Sequence, residues 1–359
     1  MRILVTGGAG YIGSHTVRAL QVAGHQPVVI DNLVYGHKHI VNEILNVPLV
    51  IGQIGDRELL HSVLWGNHKV LKNTVHENKM IEAVIHFAAY AYVGESVISP
   101  LKYYKNNVVE TISLLESLCF KNKSLTKKNE PPIPIIFSST CATYGVPDVI
   151  PIVETTKQSP INPYGHSKLF IEQIIKDLAV SYGLESVILR YFNAAGASPD
   201  SLIGENHNPE THLIPLLINA AIDNTRPVRV FGTDYDTPDG TCVRDYIHVC
   251  DLADAHVIAL DYILKKRYLD LNSKNELCNV FNLGNGKGIS VKEAISTVEK
   301  ITNLKVPIIY DNRRAGDPSI LIASAEKAKN ILGWNPAFSN IEIIIKHAFE
   351  WHKKLQHKK

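Results

Sequence analysis

The chain has 359 residues, with 37 Lys and Arg against 35 Asp and Glu and a formal net charge of +2 at pH 7. Hydrophobic residues make up 45% and charged residues 20% of the sequence. These values are typical of a globular protein with a large core and two domains or lobes. A chain so close to neutral has no broad electrostatic attraction to nucleic acid or to a membrane surface, and we expect neither as a partner.

The sequence contains neither a membrane-spanning pattern nor a targeting pattern. It has no apolar run of about eighteen residues, so we expect no transmembrane helix. The first apolar run is short and is interrupted by glycines, which argues against a signal peptide. Five scattered cysteines without a C-x-x-C pair indicate reduced thiols in the cytoplasm rather than disulfides or a zinc site. They are Cys119, Cys141, Cys242, Cys250 and Cys278.

The first half alternates short apolar runs with amphipathic stretches, which predicts an α/β fold with a doubly wound, Rossmann-like parallel sheet. The predicted strands cover residues 2–6, 27–31, 48–51, 83–88, 133–138 and 187–192, and helices are expected at 13–22 and 108–120.

The second half is irregular and predicts a smaller, mixed α/β lobe. Residues 193–209 have a loop composition, 228–231 form a short predicted strand, and helices are expected at 213–222, 290–301, 325–331 and 341–351. We therefore expect one domain over 1–192 and a second domain over 193–359. Segments around 240–265 are expected to return to the first domain.

Polar composition predicts surface loops at residues 66–79, 121–134 and 266–276. Such stretches have too few apolar side chains to contribute to a core. The basic segment 352–359 is expected to be a solvated helix end or a fraying tail.

A glycine-rich turn follows the first predicted strand and opens a helix. Gly7, Gly10 and Gly13 have the spacing G-x-x-G-x-x-G, and Tyr11 and Ile12 begin the helix. Glycines there let the backbone approach a pyrophosphate, and the helix N-terminus stabilises its charge. The strand–turn–helix context makes this a strong dinucleotide-binding signature.

Asp31 ends the second predicted strand and is followed by Asn32 and Leu33. A carboxylate at this position accepts hydrogen bonds from the adenosine ribose and repels a 2′-phosphate, so NAD is favoured over NADP. The alternative is that Asp31 only caps the loop between strand and helix.

Tyr164 and Lys168 are spaced i and i+4, which places both on one face of a helix. A free tyrosine titrates near ~10, and a neighbouring cation lowers that pKa. Tyr164 is therefore a candidate general base for a hydroxyl proton. Thr140 lies at the carboxyl end of a predicted buried strand, where ligands bind in open α/β sheets. Without Tyr164 and Lys168, we would interpret Thr140 as an ordinary residue at the end of a strand.

Further motifs carry a family resemblance over essentially the whole chain, apart from the polar insertions. They are the glycine turn, His86-Phe-Ala-Ala, Val93-Gly-Glu-Ser, Tyr103-Tyr-x-Asn-Asn-Val, Ser138-Ser-Thr, Asn162-Pro-Tyr-Gly-x-Ser-Lys168, Arg190-Tyr-Phe-Asn193, Asp239-Gly-Thr-Cys-Val-Arg-Asp-Tyr-Ile-His248 and Arg313-Arg-Ala-Gly-Asp317. The chain closely resembles the UDP-glucose 4-epimerases, a family of extended short-chain dehydrogenases/reductases. The two arginine-containing blocks near the C-terminus are more specific than the glycine turn.

The resemblance implies an epimerase mechanism. Tyr164 would take the proton of the sugar 4-hydroxyl while hydride passes from C4 to tightly held NAD, and the 4-keto sugar would turn and receive the hydride on its other face. Lys168 would bind the nicotinamide ribose, and Thr140 would hydrogen-bond the reacting oxygen. The resemblance further implies that the cofactor is lined by Phe87, Ala88, Ala89, Asn107, Ser138 and Phe192.

The resemblance also implies that 1–192 is the NAD-binding domain and that 193–359 is the UDP-sugar-binding domain, with a substrate site. Arg244 and Arg314 would contact the UDP phosphates, for which the planar guanidinium is well suited, and Asp317 the uridine ribose. The other substrate-binding positions would be Asn193, His212, Leu213 and Phe231. The alternative for Arg244 is an internal ion pair with Asp245 or Asp251.

Three positions depart from the family pattern. Ala91 replaces a lysine near the cofactor, and Gln53 replaces an aspartate near the adenine. Leu321 stands where some members carry a tyrosine that excludes N-acetylated sugars. The resemblance implies a UDP-hexose (UDP-glucose or UDP-galactose) as the substrate, and these departures leave a UDP-pentose or a UDP-N-acetylhexosamine as alternatives.

Other functions are less well supported. Dehydratases of the same family need an Asp-Glu pair after the catalytic threonine, and Cys141 and Ala142 stand there. A non-catalytic NAD-binding regulator would not require both Tyr164 and Lys168. His207 and His212 lack a further ligand in the sequence pattern, so we expect no metal site. Family members are commonly homodimers, and the same is expected here.

Overall fold

The computed structural model describes residues 1–224, 226–268, 277–314 and 317–356. The chain forms two compact units, each built from three segments. Unit 1 comprises Met1–Thr143, Asn162–Arg190 and Ala253–Phe281, and unit 2 comprises Tyr144–Ile161, Tyr191–Leu252 and Asn282–Lys359. The predicted functional boundary at residue 192 stays a prediction, because compactness alone assigns no function to either unit.

The strands, in chain order, are β1 (Arg2–Thr6), β2 (Gln26–Asp31), β3 (Leu49–Ile51), β4 (Ala83–His86), β5 (Ile135–Thr140), β6 (Ser186–Tyr191), β7 (Asn193–Ala195), β8 (Val228–Phe231), β9 (Val243–His248), β10 (Cys278–Leu283), β11 (Gly288–Ser290), β12 (Ile308–Asp311) and β13 (Ile320–Leu321). The α-helices are α1 (Tyr11–Val22), α2 (Arg57–Leu64), α3 (Val93–Ile98), α4 (Pro100–Tyr103), α5 (Glu110–Thr126), α6 (Pro163–Tyr182), α7 (Leu213–Asp223), α8 (Val249–Tyr268), α9 (Val291–Thr302) and α10 (Ile341–Gln356). Shorter π-helical turns cover Ile40–Leu45, Tyr104–Val109 and Ala328–Leu332.

A seven-stranded sheet has the order β10-β6-β5-β4-β1-β2-β3. The pairs β1–β2, β1–β4, β2–β3 and β4–β5 are parallel. Sequential strands move outwards from β1 in one direction and then resume on its other side, which is the doubly wound order. The predicted fold class is confirmed, with strand ends that differ from prediction by one or two residues.

The core of this sheet explains why its strands are nearly continuous apolar runs. β4 and β5 are buried along their whole length, as parallel strands with helices on both faces must be. Apolar side chains of α2, α5 and α6 pack with the strands in one cluster. The carboxyl ends of β1, β4 and β5 therefore emerge at one edge of a rigid sheet.

The prediction that residues 121–134 lie outside the core is wrong. α5 continues to Thr126, and Lys121 and Asn122 are only 1% and 6% exposed. Asn122 donates to the carbonyl of Ile133 at 3.0 Å and accepts from its N–H at 2.7 Å. Leu125 and Ile133 belong to the core cluster, as does Leu71 of the predicted loop 66–79. The polar composition of this stretch suggested exposure. Some of its polar side chains are nevertheless buried, because their polar groups form specific hydrogen bonds.

Unit 2 contains a smaller mixed sheet. β9 pairs with β13 and β7 in parallel and with β11 in antiparallel orientation. The strands β8 and β12 form a separate, parallel two-stranded sheet. α7, α9 and α10 supply most of a second apolar cluster. α9 begins with a capping box in which Ser290 and Glu293 exchange side-chain and backbone hydrogen bonds, which stabilises that helix start.

Some predictions concern residues outside those described. Residues 269–276 of the predicted insertion and 357–359 of the predicted tail are among them. In the rest of the chain, no helix is both long enough and apolar enough to cross a bilayer.

Candidate active site

The glycine turn between β1 and α1 is closely packed on one side and open on the other. Gly7 has φ +72°, and a Cβ on it would lie 2.7 Å from the backbone nitrogen of Ala88. A Cβ on Gly13 would lie 2.2 Å from the carbonyl oxygen of Gly7. A Cβ on Gly10 would meet only the Gly7 carbonyl, at 3.3 Å. Gly7 and Gly13 are therefore needed for packing, while Gly10 faces space that a ligand could approach.

The open side of this turn coincides with the start of α1. Gly10 is the N-cap residue, and no side chain caps the helix there. The N–H groups of Tyr11 and Ile12 belong to the first turn, where the helix dipole favours an anion. This arrangement fits a diphosphate group, and the predicted contacts of Tyr11 and Ile12 stay predictions.

Asp31 ends β2 beside the turn and is 7% exposed. Its carboxylate accepts the N–H of Ala9 at 3.0 Å and that of Leu33 at 2.8 Å. Burial raises the pKa of Asp31, and the two backbone N–H groups act in the opposite direction. Asp31 thus holds the glycine turn in addition to capping its own loop. Asn32 donates to the side chain of Gln53 at 3.1 Å.

The end of β4 is anchored by a buried histidine. His86 Nδ1 lies 2.6 Å from Thr6 Oγ1, and its Nε2 lies 3.0 Å from Thr111 Oγ1. Burial, with a smaller contribution from the charge of Lys168, lowers the pKa of His86 to about 3. The ring is therefore neutral and connects β1, β4 and α5.

The predicted cofactor segment continues from this histidine. The rings of Phe87 and His256 are in tilted contact, with centroids 4.6 Å apart. Ala88 packs against Gly7, and Ala89 follows directly. The segment is thus fixed next to the glycine turn.

Asn107 joins the residues after Ala89 to α6. Its amide accepts from the N–H of Tyr90 at 2.8 Å and donates to the Tyr90 carbonyl and to Ser167 Oγ, each at 3.0 Å. Ser167 in turn donates to the carbonyl of Tyr164 at 2.7 Å. A direct cofactor contact by Asn107 stays a prediction, whereas its role in positioning the helix start is visible.

α6 presents Tyr164 and Lys168 on one buried face. The helix begins at Pro163 after an Asn162 cap that accepts the N–H of Gly165 at 2.8 Å. Tyr164 is 7% exposed and Lys168 4%. Tyr164 packs in an aromatic cluster with Tyr92 and Tyr103.

β5 supplies the groups that face this helix. Lys168 Nζ donates to the carbonyl of Ser138 at 2.8 Å. Thr140 is 7% exposed, and its hydroxyl accepts the N–H of Ala142 at 3.1 Å. Burial lowers the pKa of Lys168 to about 7, and Glu172 opposes that effect. The charge of Lys168 is therefore sensitive to pH in the neutral range, unlike that of an exposed lysine.

A buried ion pair below Lys168 was missed by the sequence interpretation. Glu172 is one turn further along α6 and fully buried, and it receives hydrogen bonds from Arg190 of β6 at 2.5–3.1 Å. Ser139 of β5 donates to the same carboxylate at 2.5 Å. The sequence does contain a signal for this pair: Arg190 is a charged residue inside the apolar run 187–192, and a buried charge requires a partner. The pair locks α6 onto β5 and β6.

Unit 2 brings together the predicted UDP-binding residues. Arg244 of β9 forms an ion pair with Asp317, and the guanidinium of Arg314 lies 3.9 Å from the ring centroid of Phe231. Arg244 also donates to its neighbour's carbonyl, that of Val243, at 2.8 Å. Arg244 thus lies on β9, and Arg314 lies in the loop after β12.

The alternative pairing of Arg244 with Asp245 or Asp251 is wrong. Asp245 points its carboxylate at the backbone N–H groups of the β10–β11 turn and of Ala323. Burial raises the pKa of Asp245 to about 6, although these backbone donors lower it. Asp251 accepts the N–H groups of Ala337 and Phe338. The carboxylates of both aspartates anchor loops, and Arg244 forms its ion pair with Asp317 instead.

The other predicted substrate residues are distributed over unit 2. Phe192, which is predicted to line the cofactor, also lies in this unit; it is 4% exposed, and its N–H donates to the carbonyl of Leu283 at 3.2 Å. Asn193 begins β7, where it pairs with Tyr246. Leu213 begins α7 directly after His212. Their contacts with a substrate stay predictions.

The expectation that His207 and His212 lack further ligand groups is wrong. Glu205 and Glu210 lie with them, and one ligand atom of each of the four residues falls within 4.8 Å of the others. The sequence interpretation considered histidine and cysteine spacing and overlooked the two glutamates of the same loop.

Known proteins resemble this chain over nearly its whole length. The profile of the NAD dependent epimerase/dehydratase family matches residues 3–272. A protein named UDP-glucose 4-epimerase from Halalkalibacterium halodurans is 46% identical over 357 residues, which are 99% of this chain and 97% of that protein. The crystal structure of UDP-glucose 4-epimerase from Brucella ovis in complex with NAD is 44% identical, with a TM-score of 0.84 and 97% of both chains covered. That of the Bifidobacterium longum enzyme in complex with NAD+ and UDP is 36% identical, with a TM-score of 0.85 and 100% of both chains covered.

Proposed function

The chain belongs to the NAD dependent epimerase/dehydratase family, and on that premise we propose that it is a UDP-glucose 4-epimerase, which interconverts UDP-glucose and UDP-galactose. The observation that carries the proposal is the buried pair Tyr164 and Lys168 on α6. Cys141 and Ala142 follow Thr140 and supply no acid or base for the removal of water. The chemistry is therefore limited to oxidation and re-reduction of one carbon.

NAD is the cofactor that the residues of unit 1 fit. The open space at Gly10, the uncapped start of α1 and the Asp31 carboxylate would hold its diphosphate and adenosine ribose. Lys168, Asn107 and the residues after β4 would line the nicotinamide half. Bound there, NAD would supply the reversible hydride acceptor for the reaction at the sugar carbon.

Tyr164 handles the proton of the reacting hydroxyl. Its ring packs in a buried aromatic cluster, which fixes the orientation of the phenol. Lys168, held by the Ser138 carbonyl, favours the phenolate when it carries a charge. Thr140 hydrogen-bonds the reacting oxygen and orients it towards Tyr164. One phenol thus serves as base in one half-reaction and as acid in the other.

UDP binds to the charged residues of unit 2. Arg244 and Arg314 neutralise the diphosphate, since guanidinium groups can each donate to two phosphate oxygens. Asp317 holds Arg244 and contacts the uridine ribose. Phe231 supports Arg314 through its ring. Asn193, His212 and Leu213 would form the rest of the substrate pocket.

The test is an epimerase assay without added NAD. Purified protein is incubated with UDP-galactose, and separately with UDP-N-acetylgalactosamine and UDP-arabinose, and the products are resolved by anion-exchange chromatography. We expect conversion of UDP-galactose to UDP-glucose without added NAD, because the cofactor stays bound. If none of the three sugars is converted, with or without NAD, the proposal is wrong. Leu321, which pairs with Arg244 in the β13–β9 ladder, makes the N-acetylated sugar an informative comparison.

The assembly we propose is a homodimer. α3 and α4 pack with α6 in unit 1, and large apolar side chains on these helices are exposed, namely Val97, Ile98, Leu101 and Phe170. Patches of this kind commonly mark interfaces. Light scattering should give the mass of a dimer, and Leu101→Glu should give a monomer, whereas Val180→Glu at an exposed position near the end of α6 should not.

We propose that the protein resides in the cytoplasm. All five cysteines are described and none forms a disulfide, which suits a reducing compartment. Fractionation of cells should recover the activity with cytoplasmic markers, and recovery with an extracytoplasmic fraction would contradict the assignment.

A further inference from the structure

The loop before α7 gathers four side chains whose atoms commonly bind metals. Glu205, His207, Glu210 and His212 lie in one short stretch of unit 2. One carboxylate oxygen or ring nitrogen from each residue falls within 4.8 Å of the others. The reaction proposed above needs none of the four as acid, base or hydride carrier.

The two rings turn the same nitrogen towards one carboxylate. Glu205 Oε1 lies 3.1 Å from Nδ1 of His207 and contacts Nδ1 of His212. Nδ1 of His207 is also 3.9 Å from Glu210 Oε1. The ring planes of the histidines are inclined by 72°, so they converge without stacking. A tetrahedral zinc ion with bonds of about 2.0–2.1 Å holds its ligands about 3.4 Å apart, which lies within this spread.

The surrounding contacts hold the cluster in place. Glu205 is 2% exposed, and its carbonyl accepts the indole N–H of Trp351 at 2.7 Å. Gly204 packs so closely that a Cβ on it would lie 2.4 Å from the Trp351 ring. Glu210 Oε1 accepts the N–H groups of Thr211 and His212 at 2.7 and 2.9 Å. The ligand groups are therefore prearranged by the fold rather than free on a flexible chain.

We propose that these four side chains bind a divalent first-row transition metal ion, with Zn²⁺ as the best match, and that the ion fixes the loop that leads into α7. Two imidazoles with two carboxylates suit Zn²⁺, whereas Mg²⁺ and Ca²⁺ prefer oxygen ligands throughout. A buried carboxylate facing two imidazoles needs positive charge, which either one dication or protons on the rings can supply. His212 is also a residue of the proposed substrate pocket, so the tests below use Glu205 and His207 and measure metal retention separately from epimerase activity.

The experiment uses the full-length protein after treatment with a chelator and dialysis. Zn²⁺ is added, unbound metal is removed by gel filtration, and bound metal is measured by mass spectrometry. We expect about one ion per chain and a rise of several degrees in Tm with Zn²⁺. Co²⁺ in place of Zn²⁺ should produce the visible absorption of a four-coordinate site.

His207→Asn and Glu205→Gln should each weaken Zn²⁺ retention at least about tenfold and abolish the Tm shift. His61→Asn, at an exposed position on α2, is the matched control and should behave as wild type. Circular dichroism of the metal-free proteins verifies folding, and His207→Asn carries the test if the buried Glu205 variant does not fold. Equal retention by wild type and His207→Asn, or failure of wild type to retain Zn²⁺, would overturn the proposal.

Discussion

The two units hold their predicted functional side chains in different ways. In unit 1, Tyr164, Lys168 and Thr140 are each more than nine-tenths buried and are held by backbone carbonyls, packing and a buried ion pair beneath them. In unit 2, the side chains of Arg244 and Asp317 are 12% and 27% exposed and pair with each other.

This difference corresponds to two proposed roles, proton transfer in unit 1 and ligand binding in unit 2. A group that moves a proton must have its pKa and orientation set before the substrate arrives, and burial does both. A group that binds a charged ligand must exchange partners, which a partly exposed ion pair permits at small cost. Substitutions in unit 1 should therefore affect turnover or stability, and substitutions in unit 2 should affect substrate affinity.

The largest expected effect is on turnover. Tyr164→Phe removes the only atom that the proposed mechanism uses for proton transfer, while the ring keeps its packing. We expect kcat to fall about 10³–10⁴-fold with the circular dichroism spectrum unchanged. Tyr182→Phe, at an exposed position at the end of the same helix, should keep wild-type activity. Substantial turnover by Tyr164→Phe would show that the base is elsewhere.

The next effect is on stability. Glu172→Gln leaves Arg190 as a buried, unbalanced charge, so the free energy of unfolding should fall by about 3–5 kcal/mol. Urea unfolding measures this loss. Glu116→Gln removes a surface ion pair with Arg57 and should cost less than about 1 kcal/mol. Similar losses in the two variants would mean that the buried pair does not lock α6.

A pH dependence follows from Lys168. Its pKa in the folded protein is about 7, below the ordinary 10.5, so the unfolded chain binds more protons between these values. This group therefore makes stability rise with pH over that window, and its full cost is present below about pH 7. Relative to wild type, Lys168→Met should be less destabilised at pH 6 than at pH 9, by about 2–3 kcal/mol.

The control for this dependence lies on the same helix. Lys176 is 36% exposed, and Lys176→Met should show no comparable difference between the two pH values. Denaturant unfolding at pH 6 and pH 9 checks both variants. A Lys168→Met effect that does not change with pH would contradict the lowered pKa.

The smallest expected effect is on substrate binding. Arg244→Gln removes one charge-assisted contact with the diphosphate, worth about 1.5–3 kcal/mol, so KM should rise about 10–100-fold with kcat changed far less. Arg229→Gln, which breaks an exposed pair with Asp311, is the control and should leave KM unchanged. A fall in kcat instead would remove the distinction between the units.

Local patterns accounted for most of the fold and for the catalytic helix. The i, i+4 spacing placed Tyr164 and Lys168 on one face of a helix, and both are buried on α6. The hydrogen-bond partner of Lys168, the Ser138 carbonyl, could not be predicted from this pattern because tertiary packing determines it. The interpretation failed at Lys121 and Asn122, because it judged burial from average polarity and did not consider individual hydrogen bonds.

By itself, the sequence determined the parallel sheet, the glycine turn and the catalytic helix. These features depend on backbone sterics and on periodicity over a few residues, which any reader of the chain can recognise. Only the tertiary structure decided which charges meet: Glu172 with Arg190, Arg244 with Asp317, and Glu205 with two histidines. A charged side chain has several possible partners along the chain, and packing selects among them because burial is costly for any charge left without one.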